Sequence, residues 1–130
     1  MRGNMRSFGE ILASLREERG IYQKELAAIL KVSVGTISNY ENNIHFPDQE
    51  ALIQLADFFG VSTDYLLGRT PYRYRLDVLN QEFAPDVTGA GLVDILQHFN
   101  SKNAASLLDY IDLLQLRQRA ESSQEDSATD

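Results

Sequence analysis

The chain of 130 residues predicts an all-α fold. The expected order is a compact five-helix domain over 1–70, a linker over 71–91, a helical hairpin over 92–119 and a disordered acidic tail over 120–130. Three observations lead there. Apolar residues recur at the three- and four-residue spacing of amphipathic helices. Ser and Gly stand at the ends of those stretches, where helix caps belong. Only Tyr72 to Leu76 alternates in the manner of a strand.

Phe8, Ile11, Leu12 and Leu15 form one face of a first helix, which Gly20 closes. Gln23 to Leu30 is a second helix with Leu26, Ala27 and Leu30 on its apolar side. After Lys31 and Val32, the Ser33 hydroxyl is positioned to cap a third helix from Val34 to about Asn42. Phe46-Pro47-Asp48 interrupts the chain. Leu52, Leu55, Ala56 and Phe59 then mark a fourth helix ended by Gly60, and Ser62 caps a fifth, Thr63 to Leu67, stopped by Gly68. Pro71, Pro85, Gly89 and Gly91 break any periodicity in the linker. Beyond it, Leu92, Ile95, Leu96 and Phe99 give one helix face. Asn100 or Ser101 can cap the next helix, from about Asn103 to Arg119, with Ala104, Leu107, Leu108, Ile111 and Leu114 on one side. No internal repeat is present.

Hydrophobic residues make up 43% of the chain and charged ones 24%, and there is no cysteine. That composition suits one globular domain with an extension, excludes a disulfide framework or thiolate metal site, and fits a reducing cytoplasm. No apolar run is long enough to span a bilayer, and the opening residues lack the apolar core of a signal peptide, so no membrane association or secretion is expected. Met5 offers a second possible start. The net charge of −7 argues, taken alone, against a polyanionic partner. Its distribution reverses that reading: residues 1–75 hold nine Lys/Arg against nine Asp/Glu, and residues 76–130 hold three against ten. The acidity belongs to the C-terminal part, and the neutral N-terminal part is free to present a local positive face.

The most informative segment is QKELAAILKVSVGTISNYEN, Gln23 to Asn42. Ala27 supplies the small residue that two helices in close contact need, and Val32 and Ile37 fill the space between them, as in a helix-turn-helix. Around it, LREERG, QKELA, VS followed by TISNYEN, a fourth helix led by Pro, and VSTDYLLG occur in a fixed order. In these motifs the sequence resembles the Cro/cI-type (Xre) helix-turn-helix regulators, with a lambda-repressor-like DNA-binding domain, over roughly Phe8 to Gly68.

The resemblance implies a sequence-specific, dimeric regulator, mostly a repressor of a bacterial, phage or mobile-element promoter. It binds double-stranded DNA at an inverted-repeat operator, with the third helix in the major groove. The base-facing side is then Val34, Gly35, Ser38 and Asn39. The Asn39 amide can donate and accept together, matching adenine N6 and N7; Val34 suits a thymine methyl; Thr36 and Ser38 reach phosphate or bases. Gln23 matches a phosphate-gripping glutamine at the start of a helix, where free amides favour an anion, and Asn42 matches a second phosphate contact. Lys24, Ser33 and His45 complete the DNA-binding set, although His45 reads more readily as a plain loop histidine than as a DNA contact. Arg16 and Glu41 match an ion pair that ties the first helix to the third.

Two departures stand out. Lys31 occupies the position of the usual turn glycine, so it takes up a positive φ at a cost of roughly 1 kcal/mol, or the turn changes shape. The loop Asn43-Ile44-His45-Phe46 lacks the usual cations, so phosphate neutralisation is weak and dimerisation and DNA shape carry more of the specificity.

Catalysis has no visible machinery: two histidines, far apart, and no phosphate loop, metal-ligand pair or nucleophile motif. No cofactor or metal is expected. Tyr72-Arg73-Tyr74-Arg75 reads either as a basic aromatic arm or as a linker packed on its own domain. Leu107, Leu108, Ile111 and Leu114 are the candidate oligomerisation residues, for a homodimer or tetramer. The competing function is an antitoxin or adaptor that uses the same fold to hold a regulatory protein partner and represses its own promoter.

Overall fold

A computed structural model describes residues 6–129 of the chain; Met5 lies outside them. The chain forms two compact units, Met1–Val78 and Leu79–Asp130. The first holds α1 (Phe8–Arg19), α2 (Gln23–Leu30), α3 (Val34–Glu41), α4 (Gln49–Phe59) and α5 (Thr63–Leu66). All five expected helices form, with ends within a residue or two for those whose limits the sequence marked.

The caps follow the expected chemistry. The Ser33 hydroxyl accepts the Thr36 N–H at 3.1 Å, and the Ser62 hydroxyl accepts that of Tyr65 at 3.0 Å. Gly20 and Gly60 end α1 and α4 in the left-handed region, satisfying terminal carbonyls. Each of the five helices contributes one fully buried aliphatic side chain to a shared centre: Leu12, Leu26, Ile37, Leu55 and Leu66. Leu30, Val32 and Leu52, read as core-facing, are partly buried against that centre.

Lys31 takes the left-handed conformation, with φ 57° and ψ 43°, so the turn keeps its usual shape despite the side chain. Asn43 does the same after α3, which the sequence did not announce. Its side chain bridges back to α1: Oδ1 accepts the Gly9 N–H at 2.9 Å and Nδ2 donates to the Ser7 hydroxyl at 3.0 Å. At Gly9 the backbones of α1 and α3 come so close that a Cβ would lie 2.3 Å from the Glu41 carbonyl oxygen. A glycine is required there for packing.

The sequence places the end of the N-terminal domain at residue 70, and the first unit continues to Val78. Between the two readings of Tyr72 to Arg75, the packed linker describes what is observed. Arg73 makes a two-point ion pair with Glu18, at 2.8 and 3.1 Å, and stacks on the Tyr65 ring. Its carbonyl accepts the Ser62 N–H at 3.1 Å, and Arg75 reaches Asp57 at 3.2 Å. The two tyrosines point outward and stack on each other, 6.4 Å between centroids.

The second unit differs from expectation in three places. The segment read as a linker carries a 3-10 helix (Leu76–Asn80) across the boundary, then a two-stranded antiparallel sheet of β1 (Glu82–Ala84) and β2 (Val87–Thr88). Next, α6 (Gly89–Gln97) begins inside that segment. Thr88 caps it through Gly91 N–H at 3.1 Å, and Gly89 sits where a Cβ would lie 3.2 Å from the Leu79 Cα. That glycine permits a close approach, whereas the sequence reading took it as a helix breaker. Finally, α7 spans Ser101–Ala128, capped by Asn100, and continues through the segment expected to be disordered. Residues 120–128 are rich in good helix formers, and the hydroxyls of Ser122, Ser123 and Ser127 bond to carbonyls one turn back. The expected hairpin has no core of its own, since α6 buries only Gly89 and α7 buries no residue. Among the described residues, no helix is long and apolar enough to cross a membrane.

Replacing Lys31 by Gly should raise stability by about 1 kcal/mol in urea unfolding, because the left-handed turn then carries no Cβ penalty. The Arg73 guanidinium holds the Glu18 carboxyl below its ordinary value. A lowered native value means the stabilisation is complete above the ordinary glutamate range and disappears as pH falls through the lowered value. Glu18→Gln should therefore lower the melting temperature at pH 7 and leave it unchanged near pH 2, measured on both proteins in parallel.

Candidate nucleic-acid interface

Three helices build the candidate site. In α3, Ile37 and Tyr40 turn inward and are buried, so the 3.6-residue period leaves Val34, Gly35, Ser38 and Asn39 on the opposite side. Val34 is 46% exposed, Gly35 is exposed, and Ser38 and Asn39 are half-buried. The Asn39 carbonyl accepts the N–H groups of Ile44 and His45, at 2.9 and 3.3 Å. Among the described residues its side-chain amide makes no hydrogen bond, so both its donor and acceptor are available.

The neighbouring polar groups are more committed. The Thr36 and Ser33 hydroxyls bond to each other at 2.9 Å. Asn42 folds back, its Nδ2 donating to the Ser38 carbonyl at 2.8 Å and more weakly to the Ser38 hydroxyl at 3.4 Å, so its donor is committed to α3. His45 is exposed in the loop, as are Ile44 and Phe46, at 62% and 66%.

The hub under this surface is Glu41. Its carboxylate accepts from Arg16 Nε at 2.5 Å and from Gln23 Nε2 at 2.7 Å. Arg16 also donates to the Ile21 carbonyl at 2.9 Å. The arginine and glutamate side chains are only 14% and 7% exposed, and the hydrogen bond to Glu41 raises the Arg16 pKa above its ordinary value. The Arg16–Glu41 pair implied by the resemblance is thus present. The Gln23 link is a further one, which spacing alone did not reveal because it joins two different helices.

At the start of α2, the Glu25 and Leu26 N–H groups bond to the Tyr22 carbonyl, and the Glu25 carboxylate takes the Tyr22 N–H at 3.4 Å. The N–H groups of Gln23 and Lys24 have no such partner among the described residues. They border a shallow open cleft of about 450 Å³ lined by Arg16, Tyr22, Gln23 and Lys24. Lys24 Nζ lies 5.7 Å from the Tyr22 ring centroid. Free amides and a helix positive end favour an anion. The sequence reading missed Asn43, which fixes the exit of α3 against α1. Its one sequence signal is an Asn two residues past the end of a helix, a residue type enriched at positive φ.

A family model described as Helix-turn-helix matches residues 12–66. The HTH-type transcriptional regulator ImmR of Bacillus subtilis is 38% identical over 77 residues, covering 58% of this chain and 61% of the relative; the match therefore spans less than two thirds of that protein. The SPbeta prophage-derived uncharacterized HTH-type transcriptional regulator YonR, also of Bacillus subtilis, is 32% identical over 105 residues, covering 80% of this chain and 92% of the relative. Among solved structures, the P22 c2 repressor protein, crystallised with a synthetic operator, is 32% identical with a TM-score of 0.46, covering 48% of this chain and 94% of that one. With five helices around one core, a helix-turn-helix at α2 and α3, and relatives of this kind over most of its length, the chain belongs to the helix-turn-helix family of HTH-type transcriptional regulators.

Proposed function

We propose that the chain is a dimeric repressor that reads the major groove of an inverted-repeat operator with α3, acting in the cytoplasm on nucleoid DNA. The observation that carries this is the outer side of α3: an Asn39 amide with no intramolecular partner among the described residues, next to Ser38 and on the same helix as an exposed Val34, with the inner side of that helix buried. An amide free to donate and accept suits adenine in the major groove, and an exposed valine suits a thymine methyl. Gln23, Lys24 and the α2 amides grip one phosphate beside the groove, and Asn42 grips a second once its Nδ2 turns from Ser38. Because Gln23 is already bonded to Glu41, its amide is oriented before DNA arrives, which lowers the ordering cost of binding.

Phosphate attraction is modest. Arg16 is engaged with Glu41, Arg73 with Glu18 and Arg75 with Asp57, so those cations are partly neutralised within the protein. A single head then binds weakly, and joining two heads compensates by making the second half-site encounter intramolecular. The C-terminal unit supports this role: it is acidic, and its helices bury no large apolar side chain. Leu108 and Ile111 are 62% and 37% exposed, and Leu107 and Leu114 are half-buried.

Selection of bound DNA from a random pool should return an inverted repeat with half-sites about 34 Å apart, one helical turn; enrichment of single asymmetric sites would sink the dimeric reading. Asn39→Ala should relax base preference at one position per half-site, at about 1 to 3 kcal/mol, whereas Gln23→Ala should weaken all sequences alike. An unchanged preference in Asn39→Ala would mean another side of α3 faces the bases. The log-log salt dependence of operator affinity should be shallow, with a slope nearer about −4 than about −10. A steep slope would show that phosphate contacts extend well beyond Gln23, Lys24 and Asn42.

A further inference from the structure

On α7, the apolar residues occupy more than one side. Leu107 and Leu114 are half-buried. A second stripe, Tyr110, Leu113 and Leu116, lies roughly 120° away round the helix, and its members are 59%, 63% and 60% exposed. Three large apolar side chains in a row, each mostly in water, form a seam that needs a cover.

The charges beside that seam say what covers it. Asp109 stands four residues before Leu113 and Arg117 four residues after it, both on the same side of the helix as the stripe. Asp109 has no ion pair among the described residues, and Arg117 has only the long contact of 3.9 Å to Glu121, with both side chains exposed. Read outward from Leu113, the pattern is apolar then negative toward the N-terminus, and apolar then positive toward the C-terminus. A two-fold axis requires a surface complementary to itself, and this pattern is self-complementary only when the second helix runs the opposite way.

We propose that α7 pairs with α7 of a second copy of this chain in antiparallel orientation, with the two-fold axis at Leu113. This rests on the dimeric reading above, moves the contact from Leu107, Leu108, Ile111 and Leu114 to the more exposed neighbouring stripe, and adds its direction. Leu113 then meets its own counterpart, and Tyr110 packs against Leu116 of the second copy. Asp109 of each chain lies beside Arg117 of the other, giving two ion pairs by symmetry. One turn further out, the small side chains of Ser106 and Ala120 face each other and let the helices approach closely. A parallel pair in register would instead set Asp109 against Asp109 and Arg117 against Arg117, and like charges at one level oppose association. The apolar stripe thus supplies the attraction and the charges select the direction.

Because the chain contains no cysteine, single thiols report the arrangement directly. Full-length Asp109→Cys and Arg117→Cys variants, mixed in equal amounts, allowed to exchange subunits and treated with a short bis-maleimide, should give the cross-linked 109–117 heterodimer. The two homotypic products should be nearly lost. Leu113→Asp, which sets two carboxylates on the axis, should shift the sedimenting species to the monomer mass while the helical circular dichroism of the domain is retained. Dominant 109–109 and 117–117 products from a protein that sediments as a dimer would overturn the antiparallel arrangement and leave the dimer standing. A dimer that persists in Leu113→Asp would show that the interface lies elsewhere. A monomer mass for the unmodified chain, with no cross-linked product, would overturn the dimeric reading itself.

Discussion

The Glu41 carboxylate holds three helices in register. It sits at the last turn of α3, receives the Arg16 guanidinium from α1 and takes the Gln23 amide from the first residue of α2. With both charged side chains nearly out of water, the desolvation of the pair offsets much of its attraction, so its net contribution to stability is small. What it secures is direction: an ion pair satisfied at several points tolerates little rotation of α3. Removing either charge would leave the other buried and unpaired, which costs about 3 to 5 kcal/mol.

The remaining contacts around α3 act against the same freedom. Gly9 lets the backbone of α1 approach that of α3, and the Asn43 side chain closes over the α1 N-terminus. Ile37 packs between α2 and the other helices as one of the fully buried side chains. A helix fixed at its C-terminal end by the Glu41 charge and the Asn43 amide, with an aliphatic wedge beneath, can present Val34, Ser38 and Asn39 at set positions. Recognition by a few side chains needs that rigidity, because a shift on the order of 1 Å is enough to lose a bidentate hydrogen bond.

The two units follow opposite designs. The N-terminal unit folds around its own centre, with each of five helices supplying one fully buried residue. The C-terminal unit has helices, caps and a short sheet but no buried apolar side chain of comparable size. Local hydrogen bonds mark the starts of its helices: the hydroxyl of Thr88 and the amide of Asn100. Such elements give a frame without the hydrophobic burial that ordinarily supports a domain, which is why its apolar stripes are read as contact surface.

By itself the sequence determined what depends on near neighbours. Apolar spacing fixed five helices, Ser33 and Ser62 marked two of their starts, and Gly20, Gly60 and Gly68 marked ends; the base-facing side of α3 came from the family resemblance. The motif order around Gln23 to Asn42 carried the family. The tertiary structure decided what depends on residues far apart in the chain. It set the bond from Gln23 to Glu41, the Asn43 bridge to Gly9, and the folding of Tyr72 to Arg75 onto the first unit through Glu18, Tyr65 and Asp57. It also turned Gly89 from an expected breaker into the first residue of α6, because the close approach to Leu79 requires a residue without a side chain. The hairpin of β1 and β2 and the continuation of α7 to Ala128 are local features that were misread: for α7 the absence of apolar anchors was taken for disorder, whereas helix propensity needs no such anchors.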